Sequence, residues 1–184
     1  MSYRHELIDL IKDRMVTVED GVVCSGGETA TTYLDIPGVL KERKALQLGA
    51  KVLDQHILFN VPHISTVTAI GGPQMGSIPL VMGAVMESGQ QNLQWFIVRD
   101  EAKDHGLGKM FVGGEPGPGD KVILVDDVAS SGGSLMQAGI RIAQTGAEIL
   151  AIVPLVDRGN QARELFAQDG IPYLPVLTYA DLDL

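Results

Sequence analysis

The run from Val122 to Ser134, Val-Ile-Leu-Val-Asp-Asp-Val-Ala-Ser-Ser-Gly-Gly-Ser, constrains this chain more than any other stretch. Four branched apolar residues in succession read as a strand buried on both faces, the pattern of a parallel sheet covered by helices. That strand ends in two adjacent carboxylates, Asp126 and Asp127, and passes through Val128 and Ala129 into Ser130, Ser131, Gly132, Gly133 and Ser134. A helix-like stretch from Leu135 to Ala143 follows. Such a turn offers backbone N–H groups and short hydroxyls at a helix N-terminus, where a phosphate is well accommodated. The carboxylates beside it suit the vicinal hydroxyls of a sugar, or the waters around a divalent cation. An acidic cap on an ordinary turn would explain the Asp and Ser residues one by one. It does not explain two like charges at the end of a buried strand, whose desolvation is unfavourable without a cationic or hydroxylated partner. The run therefore points to a phosphorylated sugar.

The chain has 184 residues, 45% hydrophobic and 20% charged, which suits one domain with a central sheet and helices on both faces. No apolar run approaches the ~18 residues that a bilayer span needs. The opening Met-Ser-Tyr-Arg-His-Glu lacks the apolar core of a signal peptide. A lone cysteine, Cys24, has no partner for an internal disulfide, in keeping with a reducing cytoplasm. The net charge of −9 argues against a nucleic-acid surface, which is normally basic. An anionic small substrate stays compatible, because Arg99, Lys103, His105, Lys109 and Arg158 supply local positive charge. Histidines and the cysteine are scattered without zinc-ligand spacing.

Leu7, Leu10 and Ile11 recur at helical spacing and predict a first helix from about Tyr3 to Arg14. The Gly-, Ser- and Thr-rich stretch 19–32 predicts a loop or short hairpin strands, and Tyr33-Leu34-Asp35-Ile36 predicts a strand. Ala45, Gly49, Val52, Leu53, His56 and Ile57 mark one face of a second helix. Val67-Thr68-Ala69-Ile70 predicts a buried strand, 78–86 an apolar helix and Trp95-Phe96-Ile97-Val98 another strand. A polar segment and the turn cluster 113–119 lead into the Val122 strand and its helix. A strand over 150–156, a helix near 161–168 and a last strand near 173–177 complete the order. This alternation predicts an α/β domain with a doubly wound, mainly parallel sheet flanked by helices. Ligands of such sheets lie beyond the carboxyl ends of the strands. The segments 71–77, 99–109, 126–134 and 157–158 each follow a predicted strand, so four separated pieces converge on one pocket.

The Val122–Ser134 run resembles the signature of the type I phosphoribosyltransferases, which use phosphoribosyl pyrophosphate (PRPP). A second segment, Arg99-Asp100-Glu101-Ala102-Lys103-Asp104-His105-Gly106, resembles the mobile loop of the orotate phosphoribosyltransferases, which reads Arg-Lys-Glu-Ala-Lys-Asp-His-Gly. Tyr33-Leu34-Asp35 resembles the early strand of those enzymes, and Gly72-Pro73 through Ile78-Pro79-Leu80 their pyrophosphate-side loop and helix. Val156-Asp157-Arg158 resembles the segment whose arginine meets the orotate carboxylate. The likeness spans most of the chain. It implies a single phosphoribosyltransferase domain over 1–184, with an N-terminal hood over about 1–40 and a PRPP-binding core over about 41–184.

The chemistry that the resemblance implies is transfer of phosphoribose from PRPP to N1 of orotate, giving orotidine 5′-monophosphate and pyrophosphate in pyrimidine nucleotide synthesis. Loss of pyrophosphate leaves positive charge on the sugar and negative charge on the leaving group, so the site needs cations and a closed, dry interior. By the resemblance, Lys103 and His105 close over the diphosphate and Mg²⁺ shares its charge. Arg99 holds phosphate, Asp126 and Asp127 bind the ribose hydroxyls and stabilise the cationic sugar, Ser130, Ser131, Gly132, Gly133 and Ser134 hold the 5′-phosphate with Ser130 near the base, and Val128 and Ala129 belong to the same substrate site. Arg158 pairs with the orotate carboxylate, a planar fork meeting a planar acid. The metal is held mainly by PRPP, through water to Asp126 or Asp127, with no metal site of protein ligands alone. The loop 99–109 reaches the site of a neighbouring subunit, which implies a homodimer. Neither nucleic acid nor membrane is an expected partner.

Three positions depart from the resembled pattern. Asp100 stands where the loop usually carries a lysine, the stretch 18–32 contains no lysine or arginine, and Gln74-Met75-Gly76-Ser77 replaces a loop that in some members carries a lysine. Two alternatives therefore stay open beside orotate transfer: a phosphoribosyltransferase for another base, or a catalytically weak paralogue that senses PRPP or a nucleotide. A DNA-binding helical region or basic face, which related regulators often add, is absent from the sequence pattern. Fold alone does not decide among these.

Overall fold

The computed structural model describes residues 2–23, 29–101, 110–159 and 161–184, with no side chains described over 16–33. Among them a six-stranded sheet has the order β5-β4-β3-β6-β7-β8. Its strands are β3 (Ala69–Pro73), β4 (Gln94–Val98), β5 (Phe111–Gly113), β6 (Lys121–Ala129), β7 (Glu148–Asp157) and β8 (Leu177–Thr178). All neighbours pair in parallel except β4 and β5. A separate antiparallel hairpin joins β1 (Val16–Val23) to β2 (Thr29–Tyr33).

The apolar run of β6 divides between two cores by its alternation. Ile123 and Val125 join Ile70, Ile97, Ala151 and Val153 on one face, under α1 (Tyr3–Arg14), α3 (Arg43–Asn60) and α4 (Ile78–Glu87). Val122 and Leu124 join Phe96, Val98 and Ile152 on the other, under α5 (Gly133–Gln144) and α6 (Gln161–Ala167). Leu135, Ala138 and Ile142 form the buried stripe of α5 at helical spacing. Each such side chain contributes about 1.5–3 kcal/mol on leaving water, and the split over two faces is what a doubly wound sheet requires. No helix among the described residues is long and apolar enough to cross a membrane.

Several boundaries differ from the sequence-based expectation. Tyr33-Leu34-Asp35-Ile36 is not a strand: β2 stops at Tyr33 and a short helix, α2 (Ile36–Val39), begins three residues on. Asp35 caps it by accepting from Gly38 N at 3.0 Å, and Pro37 in the first turn fits a helix start, so capping outweighs the apolar alternation. The strand expected at 67–70 runs over 69–73 instead, because Gly71, Gly72 and Pro73 continue the pairing with β4. The last strand is confined to Leu177–Thr178, while Tyr173 makes only an isolated bridge to Ile152. β5 carries too few residues to show a period; it forms because Phe111 packs edge-to-face on Phe96 at 6.0 Å. Finally β6 and β7 run through their acidic residues, so Asp126, Asp127 and Asp157 are strand residues rather than loop residues.

The middle of the sheet is tight around β3. A Cβ on Gly71 would lie 2.4 Å from the Phe96 ring, and one on Gly72 would lie 2.1 Å from Val125 O. The second neighbour is backbone of the central strand and has nowhere to move. Gly72→Ala is expected to destabilise the protein by about 3 kcal/mol, read from urea unfolding; a loss below about 1 kcal/mol contradicts this packing.

Candidate active site

Four chain segments meet at the carboxyl end of the sheet, where the strand register brings them side by side. Asp126 pairs with Pro154 and Ala129 with Asp157, so the ends of β6 and β7 lie level. Arg158 N then donates to Ala129 O at 2.8 Å, which ties the start of one loop to the start of the other.

Asp126 is 6% exposed, and its carboxylate accepts from Asp127 N at 3.0 Å. Burial, reinforced by the neighbouring charge of Asp127, raises it well above the usual carboxylate range. Asp127 accepts from Val128 N at 2.9 Å. Burial raises this carboxyl too, against the lowering effect of the Val128 amide, and the charge of Asp35 adds to the rise. The two acids serve different surroundings. Asp126 lines a cavity of about 310 Å³, whereas Asp127 packs on the turn before α4, where a Cβ on Gly76 would lie 2.2 Å from Asp127 Oδ2.

The rest of that cavity is the segment 128–135 with Gln137. Gly132 takes φ +83°, and a Cβ there would also approach Ala162 Cβ at 3.1 Å, so the turn needs glycine. α5 starts at Gly133 and no side chain caps it. Its first-turn amides, with the hydroxyls of Ser130, Ser131 and Ser134 in the same lining, form the kind of cradle that accepts a phosphate group. A carboxylate and an anion cradle thus share one concavity.

Arg99 follows β4, and Arg99 N donates to Met110 O at 2.9 Å, pinning together the two ends of the intervening segment. Arg141 of α5 donates from Nη1 to Arg99 O and from Nη2 to Asp100 O. Arg99 Nε is buried without a hydrogen-bond partner among the described residues. Asp100 turns toward the β3–α4 turn, where its Oδ2 accepts from Gln74 Nε2 at 2.9 Å. Two of the positions that depart from the resembled pattern are therefore partners of each other. Lys103 and His105 lie outside the described residues. No group of three or more acidic, histidine or cysteine side chains among the described residues is arranged to hold a metal ion.

Arg158 is half-buried, with its guanidinium carbon 5.5 Å from the centroid of the Tyr179 ring. Asp157 is buried and accepts from Gly159 N at 3.2 Å. Gln74, Gly76, Arg141 and Tyr179 were not singled out from the sequence as site residues. Gly76 and Gln74 sit in a segment that was, but Arg141 and Tyr179 belong to no motif and become visible only through packing.

No protein-family model matches the chain. It is 31% identical over 180 residues to the orotate phosphoribosyltransferase of Pyrococcus abyssi, covering 97% of this chain and 94% of that protein. The corresponding protein of Corynebacterium glutamicum is 32% identical over 181 residues, covering 98% and 94%. The chain belongs to the orotate phosphoribosyltransferase family. Among solved structures, a phosphoribosyltransferase from Corynebacterium diphtheriae superposes with a TM-score of 0.82 at 26% identity, covering both chains fully. The Mycobacterium tuberculosis orotate phosphoribosyltransferase in complex with PRPP superposes at 0.77 with 24% identity, again over both whole chains, and shares the fold. The type I phosphoribosyltransferase fold is thus established for this member.

The raised Asp126 carboxyl has a measurable consequence for stability. Between about pH 3.9, where an unfolded Asp titrates, and its raised folded value, the folded state binds more protons, so stability falls as pH rises. Asp126→Asn removes that penalty and keeps an oxygen for the Asp127 amide. Calorimetry should show a higher melting temperature at pH 7, by about 2–4 °C for each kcal/mol relieved, with the gain shrinking toward pH 4. A lower melting temperature at pH 7 contradicts the burial penalty.

Proposed function

We propose that this protein transfers the phosphoribosyl group of PRPP to N1 of orotate, forming orotidine 5′-monophosphate and pyrophosphate in pyrimidine nucleotide synthesis. One observation carries the reading. A single cavity joins the Asp126 carboxylate to the uncapped start of α5, and Ala129 in its lining accepts the backbone amide of Arg158. The first-turn amides and the serine hydroxyls hold the 5′-phosphate; Asp126 and Asp127 take the ribose hydroxyls. As the bond from C1 to the pyrophosphate oxygen breaks, the two carboxylates stabilise the positive sugar, and N1 of orotate forms the new bond from the other side while its proton passes to the departing pyrophosphate. Arg158 pairs with the orotate carboxylate and sets the ring in line.

Lys103 and His105 provide positive charge at the departing pyrophosphate, and Arg99 supports the phosphates. Mg²⁺ completes the charge balance of the diphosphate. The residues present fit it in a limited way: Asp126 and Asp127 are oxygen donors whose affinity for protons is raised by burial and by like charge nearby, but they do not form a cage of their own among the described residues. Mg²⁺ would be held chiefly by the substrate's phosphates, with Asp126 and Asp127 as nearby oxygen donors, and would offset negative charge on the leaving group.

The working unit in this reading is a homodimer in which segment 99–109 serves the neighbouring site, acting in the cytoplasm. α4 supports a covered assembly. It has no charged residue before Glu87, its Met86 is 86% exposed, and Met75 in the turn that precedes it is 73% exposed. A helix that is apolar all round is ordinarily covered by protein.

Orotate absorbance should fall on mixing the protein with PRPP and Mg²⁺, and stay unchanged without PRPP. In that assay Arg158→Ala should raise the orotate KM at least about tenfold, the loss of a charged hydrogen bond, with the PRPP KM within about twofold. Turnover of uracil or a purine base alone would reassign the pocket, and PRPP binding with no turnover of any base would favour the sensor.

Mixed dimers test the shared site. Lys103→Ala and Asp127→Ala subunits are each inactive alone, and random mixing should restore about a quarter of the wild-type rate, since half the dimers carry one intact site in two. Proven mixed dimers without activity would place segment 99–109 over its own subunit's site.

A further inference from the structure

Parallel pairing between β7 and β8 sets Asp157 opposite Thr178. The next residue on each strand, Arg158 and Tyr179, therefore leaves the sheet at the same level and at the same end. Their side chains meet there, with the guanidinium carbon 5.5 Å from the ring centroid.

The ring has a fixed platform. Tyr179 opens a 3₁₀ helix, Tyr179–Leu182, whose start is closed by Thr178 N and Thr178 Oγ1 donating to Asp181 Oδ2 at 2.8 and 3.0 Å. Asp181 is held in turn by Arg4 of α1, Nη2 to Oδ1 at 2.8 Å. These bonds lower the Asp181 carboxyl below the usual range despite some burial. The half-buried Tyr179 ring packs against the sheet's α1–α3–α4 core, so it cannot swing away without opening apolar contacts.

We propose that Tyr179 is a positioning residue for Arg158, holding its guanidinium toward the planar acid of the acceptor base. The inference rests on the orotate-transfer reading above. An arginine has several rotatable bonds, and fixing them at the moment of binding weakens the complex. An aromatic face attracts the cation through its quadrupole and restricts those bonds beforehand, while placing no directional demand on the N–H groups. The phosphate cradle lies on α5 and the 130–134 turn and does not depend on this contact. Loss of the ring should therefore weaken the base and spare the sugar phosphate.

Steady-state kinetics of the full chain with orotate and PRPP test this. Tyr179→Leu should raise the orotate KM about three- to tenfold, with kcat and the PRPP KM within about twofold, and Tyr179→Phe should behave as the wild type. In an Arg158→Ala background, Tyr179→Leu should add nothing further, because the group it positions is gone. Equal rises in both KM values, or full additivity with Arg158→Ala, overturn the inference. Should leucine prevent folding, Tyr179→Met gives the same comparison with an unbranched, adaptable side chain. A wild type that consumes no orotate in the assay overturns the reading beneath, and the two failures are thereby distinct.

Discussion

A carboxylate at the end of the central strand loses most of its hydration, and the surrounding backbone is arranged around that loss. Asp126 accepts the amide of Asp127, lines the polar cavity, and directly follows the buried run Val122–Val125. Both its own burial and the charge of Asp127 favour protonation. Such a pair is unfavourable for folding and becomes favourable when positive charge enters the cavity. In an enzyme whose sugar passes through a cationic state, this places the electrostatic strain where the transition state relieves it.

The same end of the sheet gathers the other pieces by short, local ties rather than by one large interface. Ala129 O receives the Arg158 amide, Met110 O receives the Arg99 amide, and Gln74 reaches the Asp100 carboxylate. Asp100 stands where the resembled loop has a lysine, yet its charge is directed toward the β3–α4 turn. The aspartate at this position thus forms a strut between two loops. Arg141, on the helix that begins at the phosphate cradle, grips the same neck from the other side.

Most of the architecture was legible because the sheet is buried on both faces. Long apolar runs separated by glycine-rich turns have few other solutions, and Val122–Val125 announced both the strand and its burial on two faces. The acid pair and the Ser-Gly turn were legible because their chemistry is local in sequence. Short elements were not. Tyr33-Leu34-Asp35-Ile36 alternates like a strand until the Asp35 cap on Gly38 N is seen, and β5 depends on one aromatic contact with Phe96. Tyr179 and Arg141 were invisible for a different reason: their partners lie 21 and about 41 residues away, joined only by strand register and helix packing.

The outer strands of the sheet are its shortest. β5 spans Phe111–Gly113 at one border and β8 spans Leu177–Thr178 at the other, and the second is followed at once by a 3₁₀ helix. Neither border offers the long row of open amide and carbonyl groups on which a foreign strand could grow. Growth of the six-stranded sheet from molecule to molecule is thereby disfavoured. A protein that carries an apolar outer helix can in this way be sticky in one place and remain a discrete particle.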